Sequence, residues 1–249
     1  MDFISLPVGG TQLLNYQYRQ FESSDIQKAL QSDLFVVTVV DGPFQRLVNK
    51  KGLLYVIAEC TRDIVKTAVA INGEAREAER LINECIDHGA NAVVIADDLA
   101  YNAGMFITQN AFDDAICCHY RAFTERIHHR GAYAVFHSCG NITNIISGIV
   151  SAGFDGLSCE SECADILSIK SNYGTHLTLF AGISTELLVD YPSSAEDEER
   201  FTELVSKLGD DGGFILSSSS GLYSSHMFYN IQRLYTRADK ISRSTADGR

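Results

Sequence analysis

Basic residues, long apolar runs and the common nucleotide or hydrolase motifs are all scarce or missing in this chain. It carries 20 Lys+Arg against 32 Asp+Glu, a formal net charge of −12 over 249 residues. Nucleic-acid binding draws its affinity from clustered Lys and Arg that neutralise phosphates, so this balance argues against it. Docking on anionic lipid is disfavoured for the same reason. No apolar run approaches the roughly 20 residues that would span a bilayer. The opening residues Met1-Asp2-Phe3-Ile4-Ser5 lack a basic region and an apolar leader core, so a soluble cytoplasmic protein is expected. No GxGxxG, Walker, GxSxG or HExxH pattern occurs. A disulfide framework is also unsupported. The seven cysteines, at 60, 85, 117, 118, 139, 159 and 163, are odd in number and mostly sit in apolar periodic segments. They read as small buried hydrophobes, the exceptions being metal-binding or catalytic.

What is present is an alternation of strand and helix patterns. Leu34 to Val40 is a continuous apolar strand ended by Asp41-Gly42-Pro43. Helical spacing follows over Leu53 to Ala58 and over Ile64 to Cys85, the latter divided near Asn72-Gly73. Strands are expected at Ala92–Ala96, Ala132–Phe136, near Gly156–Ser158, at Leu177–Phe180 and at Phe214–Ser217. Helices are expected over 112–127, 142–150, 165–171, 197–207 and 227–238. Six strand–helix units with non-alternating strands imply a parallel sheet covered by helices, in one α/β domain over residues 33–240. Residues 1–32 show no comparable unit, and 241–249 read as a frayed polar tail. Functional residues of such a sheet belong at the carboxyl ends of its strands.

Three constellations lie at such ends. His137-Ser138-Cys139-Gly140 follows the strand that ends at Phe136. Residues i and i+2 of an extended segment point to one side, so imidazole and thiol can converge on one metal ion. Asn141 suits the cap of the next helix, whose amino terminus favours a thiolate at Cys139. The next strand ends in Cys159-Glu160, which makes Glu160 a candidate oxygen ligand, ahead of Cys163. Asp97-Asp98 ends another strand. A helix cap needs only one acid, so at least one of the pair is a candidate for acid–base or substrate-positioning work.

The chain resembles the uroporphyrinogen decarboxylase superfamily, which includes the cobamide-dependent methyltransferases. The segments that carry the resemblance are Ala96–Ala100 with Gly104–Thr108, Phe136–Asn141, Ala152–Leu157, Ile169–Gly174, Ala181–Ser184 and Gly212–Ser218, with Asn230 early in the last helix. They run in order over about residues 33–238. The resemblance implies a TIM-type (β/α) barrel, here shortened at the amino terminus. In the methyltransferase branch it implies a His-x-Cys motif and a later Cys that bind Zn2+. That ion holds a small thiol such as coenzyme M, which takes a methyl group from a corrinoid carried by a separate protein. His137 and Cys139 match two of these ligands, and zinc-dependent methionine synthases, with a later Glu, support Glu160.

Two departures qualify the resemblance. The final Cys of the methyltransferase pattern would fall near Ser220, where this chain has only serines, and serine is a poor zinc ligand. The arginine-rich segment with which decarboxylases grip a tetrapyrrole's carboxylates is missing. The expected function is therefore a zinc-dependent methyltransferase with His137, Cys139 and Glu160 at the metal and Asp97 or Asp98 positioning substrate. The alternatives are a carboxy-lyase acting on a uroporphyrinogen-like tetrapyrrole, and a non-catalytic paralogue that binds a corrinoid or a partner protein. The expected partners are a small-molecule substrate, a corrinoid protein, and a further chain, as in a homo-oligomer, covering an open barrel edge.

Overall fold

The computed structural model describes residues 3–8, 12–13, 16–17, 31, 34–191 and 194–247, with side chains described at 31, 34–191 and 194–243. The chain divides into two compact units, Met1–Asp155 and Gly156–Arg249.

In the first unit, β1 (Phe3–Val8), β2 (Phe35–Asp41), β3 (Ala92–Ala96) and β4 (Tyr133–Ser138) lie side by side in that order, all parallel. A strand within residues 1–32 is a finding that sequence patterning did not provide. It pairs with β2 from Phe3↔Phe35 to Val8↔Val40. Three helices separate β2 from β3: α1 (Pro43–Lys51), α2 (Leu53–Arg62) and α3 (Ile64–Asp87). Pro43 opens α1 with its fixed φ, and Gly52 ends it at φ 88°, a backbone state that only glycine adopts cheaply. Asp63 caps α3 by accepting the Lys66 amide at 3.0 Å.

The division expected at Asn72-Gly73 does not occur, because α3 runs unbroken. Ile71, Glu74, Ala75, Ala78, Leu81, Ile82 and Cys85 bury one continuous stripe, and that packing outweighs the propensity cost of one exposed glycine. After β3 come a short hairpin (Ala100–Tyr101 with Gly104–Met105), α4 (Gln109–Ala115) and α5 (Cys117–His129). The single helix expected over 112–127 is thus two, parted at Ile116 (φ −123°). One face of the sheet is fully covered: Val36, Thr38, Val40, Val93, Ile95, Ala134 and Phe136 are each 0% exposed. On the other face Val37, Ala92 and Val135 are buried, while Val39, Val94, Ala96 and His137 are half-buried.

The first unit ends with α6 (Ile146–Ser151). In the second unit, β6 (Thr178–Ile183) lies between β5 (Gly156–Cys159) and β7 (Phe214–Ser218), again all parallel. The connections are α7 (Ile166–Tyr173) after β5, then α8 (Thr185–Asp190) and α9 (Ala195–Gly209) after β6. Asp165, Ser184 and Ser194 cap these three helices through their side chains. The last helix, α10 (Ser225–Asp247), continues well past Ala238 into the residues expected to fray. Leu188, Tyr191, Phe201, Val205, Met227, Ile231 and Leu234 form the core of this unit. No helix of the described residues is long and apolar enough to cross a membrane.

Candidate metal centre at the strand ends

Parallel pairing fixes which side chains share a face. Asp41, Ala96 and His137 are cross-strand partners on β2, β3 and β4, so all three project to the same side. Asp98 and Cys139 lie two residues beyond Ala96 and His137, and the alternation of extended backbone brings them to that side as well. The outcome is a cluster in which one ligand atom each of Asp98, His137 and Cys139 lies within 4.8 Å of the other two. Cys139 Sγ stands 3.9 Å from His137 Nε2. The Cys139 amide donates to Asp98 Oδ1 at 2.9 Å, which ties the acid to the motif.

These donors suit zinc. Sulfur and nitrogen on a tetrahedral Zn2+ are about 3.5 Å apart, given bonds of roughly 2.3 and 2.0 Å. The observed 3.9 Å closes to that value with a small side-chain rotation. One thiol, one imidazole and one carboxylate make a three-ligand set of the kind that leaves a fourth position for a substrate.

The backbone around the cluster is held from below and above. Ser138 points to the covered side, is 0% exposed, and accepts the Leu99 amide at 3.1 Å while its hydroxyl donates to the Cys139 carbonyl at 3.0 Å. The hairpin 100–105 rests on Gly140, where φ is 77°. A Cβ there would fall 2.6 Å from the Ala100 carbonyl carbon, so the position excludes any side chain. The Asn141 amide continues the contact by donating to the Tyr101 carbonyl at 2.9 Å.

Of the two adjacent acids, only Asp98 faces the cluster. Asp97 points the other way and is 0% exposed. Its carboxylate accepts from the Gln45 amide at 2.5 Å, the Phe44 amide at 3.3 Å and the Tyr120 hydroxyl at 2.7 Å. It thereby caps α1, whose own N-cap Gly42 offers no side chain. Gly42 is required for this approach, since a Cβ there would lie 2.3 Å from Asp97 Cγ. Burial pushes the Asp97 carboxyl up to about 7, against the lowering by Tyr120 and the two amides.

Asp41 is a member of this face that sequence reasoning passed over as a strand end. It is 3% exposed, and burial raises its carboxyl to about 6, with Arg46 acting downward and Asp98 upward. The alternation of β2 against β3 was the signal that could have found it.

Glu160 belongs to the second unit, directly after β5, where Cys163 Sγ donates to its Oε2 at 3.3 Å. Burial drives the neighbouring Cys159 thiol up to about 12, which makes it a hydrophobe. The loop after Glu160 is fastened to the ends of β6 and β7. Ser161 Oγ accepts the Gly182 amide at 2.8 Å, and the Ser161 amide donates to Ser219 Oγ at 3.0 Å. Glu162 accepts from the Thr185 amide. Burial works to raise Glu162, yet that amide and the Ser219 hydroxyl hold it below the ordinary carboxylate value. Ser219 therefore has a structural task, whereas the Ser220 hydroxyl reaches, among the described residues, the Gly221 carbonyl at 3.4 Å.

Known proteins resemble this chain over much of its length. The family model described as Uroporphyrinogen decarboxylase (URO-D) matches residues 26–241. A methylcobamide:CoM methyltransferase, MtaA, of Methanosarcina barkeri is 24% identical over 163 residues, which are 64% of this chain and 46% of that protein. Its namesake from the Fusaro strain is 23% identical over the same shares. The chain thus spans about half the length of the curated relatives it matches. Among solved structures, a methyltransferase from Methanosarcina mazei superposes with a TM-score of 0.71 at 18% identity, over 88% of this chain and 64% of that one. An L-ribulose 3-epimerase gives 0.61 at 12% identity, over 98% and 86%. These likenesses establish the fold as α/β of the TIM-type (β/α) class. That the second neighbour is an epimerase illustrates that such a fold leaves the chemistry open.

Proposed function

The chain belongs to the uroporphyrinogen decarboxylase family, and from that premise we propose that it is a zinc-dependent methyltransferase acting between a corrinoid protein and a small thiol. The observation that carries this reading is the convergence of Asp98, His137 and Cys139 on one point at the strand ends. Weak similarity to methylcobamide:CoM methyltransferases supports the choice of reaction.

In this reading His137 and Cys139 bind the metal through nitrogen and sulfur, and Asp98 supplies an oxygen while holding the Cys139 amide in place. Glu160 stays a proposed further oxygen ligand on the strength of the sequence alone. A bound zinc ion would supply Lewis-acid stabilisation of the acceptor as a thiolate near neutral pH. A thiolate held there would take a methyl group from a corrinoid, the new sulfur–carbon bond replacing the cobalt–carbon bond, whose electron pair would stay with cobalt. No general base is then needed at the transfer step, which fits the lack of a second imidazole in the described cluster. The corrinoid arrives on a partner protein. A further chain along β7, whose described pairing is with β6 alone, belongs to the same proposal.

Metal analysis of the purified protein tests the reading. About one zinc per chain is expected, with loss of most of it in His137→Ala and Cys139→Ala. Thiol-dependent demethylation of methylcobalamin should follow the zinc content. A native protein that holds no metal after zinc supplementation sinks the mechanism.

A further inference from the structure

On the face of the candidate metal centre, Asp41 has a buried carboxylate oxygen whose hydrogen bonding is incomplete among the described residues. Its Oδ2 accepts from Asn49 Nδ2 at 3.1 Å, while its Oδ1 is buried and has no hydrogen-bond donor among the described residues. The cation acting on it is Arg46, and that guanidinium is drawn to Glu74, 3.5 Å from Nε, which also holds Lys50 at 2.7 Å. The other charge acting on it is Asp98, which repels it. An unmet buried acceptor costs a fold about 1–3 kcal/mol. Helix α1 does not require this one, because Asp97 caps it. A cost retained beside a candidate site is accounted for when the ligand brings the missing donor.

The spacing sets the ligand's size. Asp41 stands two strands from His137, about 10 Å at the backbone, given roughly 4.8 Å per strand. Only the methyl group of Ala96 lies between them in that row. An aspartate side chain on one side and a metal-held sulfur on the other leave room for a spacer of about two or three carbons. The charge sets the ligand's sign. With Asp41 and Asp98 on this face, an anionic tail is repelled and a cationic one attracted.

We propose that Asp41 is a specificity residue of this site, its Oδ1 accepting a hydrogen bond from the ammonium group of a short aminothiol. The site then takes cationic thiols in preference to anionic ones of the same length. This rests on reading the centre as one that binds a thiol through a metal.

Calorimetric titration of the zinc-loaded full chain with cysteamine and with 2-mercaptoethanesulfonate tests it. The wild type should bind cysteamine about tenfold more tightly. In Asp41→Asn, which keeps the shape and an acceptor for Asn49, that ratio should fall to about threefold or less, through weaker cysteamine binding. Intrinsic differences in thiol acidity cancel in the change of ratio between the two proteins. The Asp41→Asn melting temperature should be no lower than that of the wild type, because an unmet buried charge has been removed. Tighter binding of the sulfonate, or a ratio that Asp41→Asn leaves unchanged, overturns the inference and spares the thiol-binding reading. A melting temperature lowered by several degrees assigns Asp41 a structural task and overturns it too. Binding of neither thiol by protein that holds zinc overturns both.

Discussion

Asp97 and Asp98 are consecutive in the chain and serve opposite sides of one sheet, because extended backbone sends successive side chains apart. Asp98 sits with His137 and Cys139, and Asp97 is sunk beneath the helices as a cap supplied from a distant part of the chain. The two acids should therefore fail differently on substitution. Asp98→Ala is expected to lower zinc affinity while leaving the fold intact. Asp97→Ala leaves two helix-terminal amides and the buried Tyr120 hydroxyl without an acceptor, at a cost of about 3 kcal/mol or more. Urea unfolding of the two variants beside the wild type separates the effects. Comparable destabilisation by both would contradict the division of labour.

At the scale of elements, strands were the most legible part of the sequence. Val93 and Ile95 on one side and Val94 on the other make β3 apolar on both faces, and its expected span, Ala92–Ala96, is the observed one. The candidate metal motif was legible for a related reason. His137-x-Cys139 is local, and its convergence follows from strand geometry once β4 is placed. Long-range features were not. β1 carries its meaning in pairing with β2, which no pattern within residues 3–8 announces. The cap that Asp97 places on α1 joins positions more than fifty residues apart. Helix α3 was misdivided because Asn72-Gly73 is a local breaker, while the stripe from Ile71 to Cys85 that overrides it is a tertiary fact. That glycine offers a clean test. Gly73 is exposed, lies mid-helix and has open space where a Cβ would go. Gly73→Ala is expected to stabilise the protein by about 0.5–1 kcal/mol, read as a higher urea midpoint with unchanged zinc content. A loss of stability would mean that the helix is bent there.

For the molecule as a whole, two buried acids set a pH dependence of stability. Burial raises Asp41 to about 6 and Asp97 to about 7, from 3.8 in each case. Each native carboxyl therefore keeps a proton that the unfolded chain has already released. The stability linked to that proton is fully present below about pH 4 and is lost as pH rises, through about 6 for Asp41 and about 7 for Asp97. The magnitude is on the order of 3 kcal/mol for each group. In the metal-free protein, the stability of the wild type minus that of Asp41→Asn should fall between pH 4 and 6 and stay level above. A difference that rises over that window would show that Asp41 is ionised more readily in the fold than out of it.

The contact of Gly42 with Asp97 reaches beyond this one chain. A side chain at position 42 and a carboxylate at position 97 cannot occupy the same space, and without that carboxylate the first turn of α1 has lost its acceptor. The two positions are thus bound to change together. A relative that gains a residue other than glycine at 42 must abandon the acid at 97 and supply a local Ser, Thr or Asn cap in its place. Aligned sequences of such relatives would record this as a paired substitution across two strands, an inherited trace of one steric exclusion.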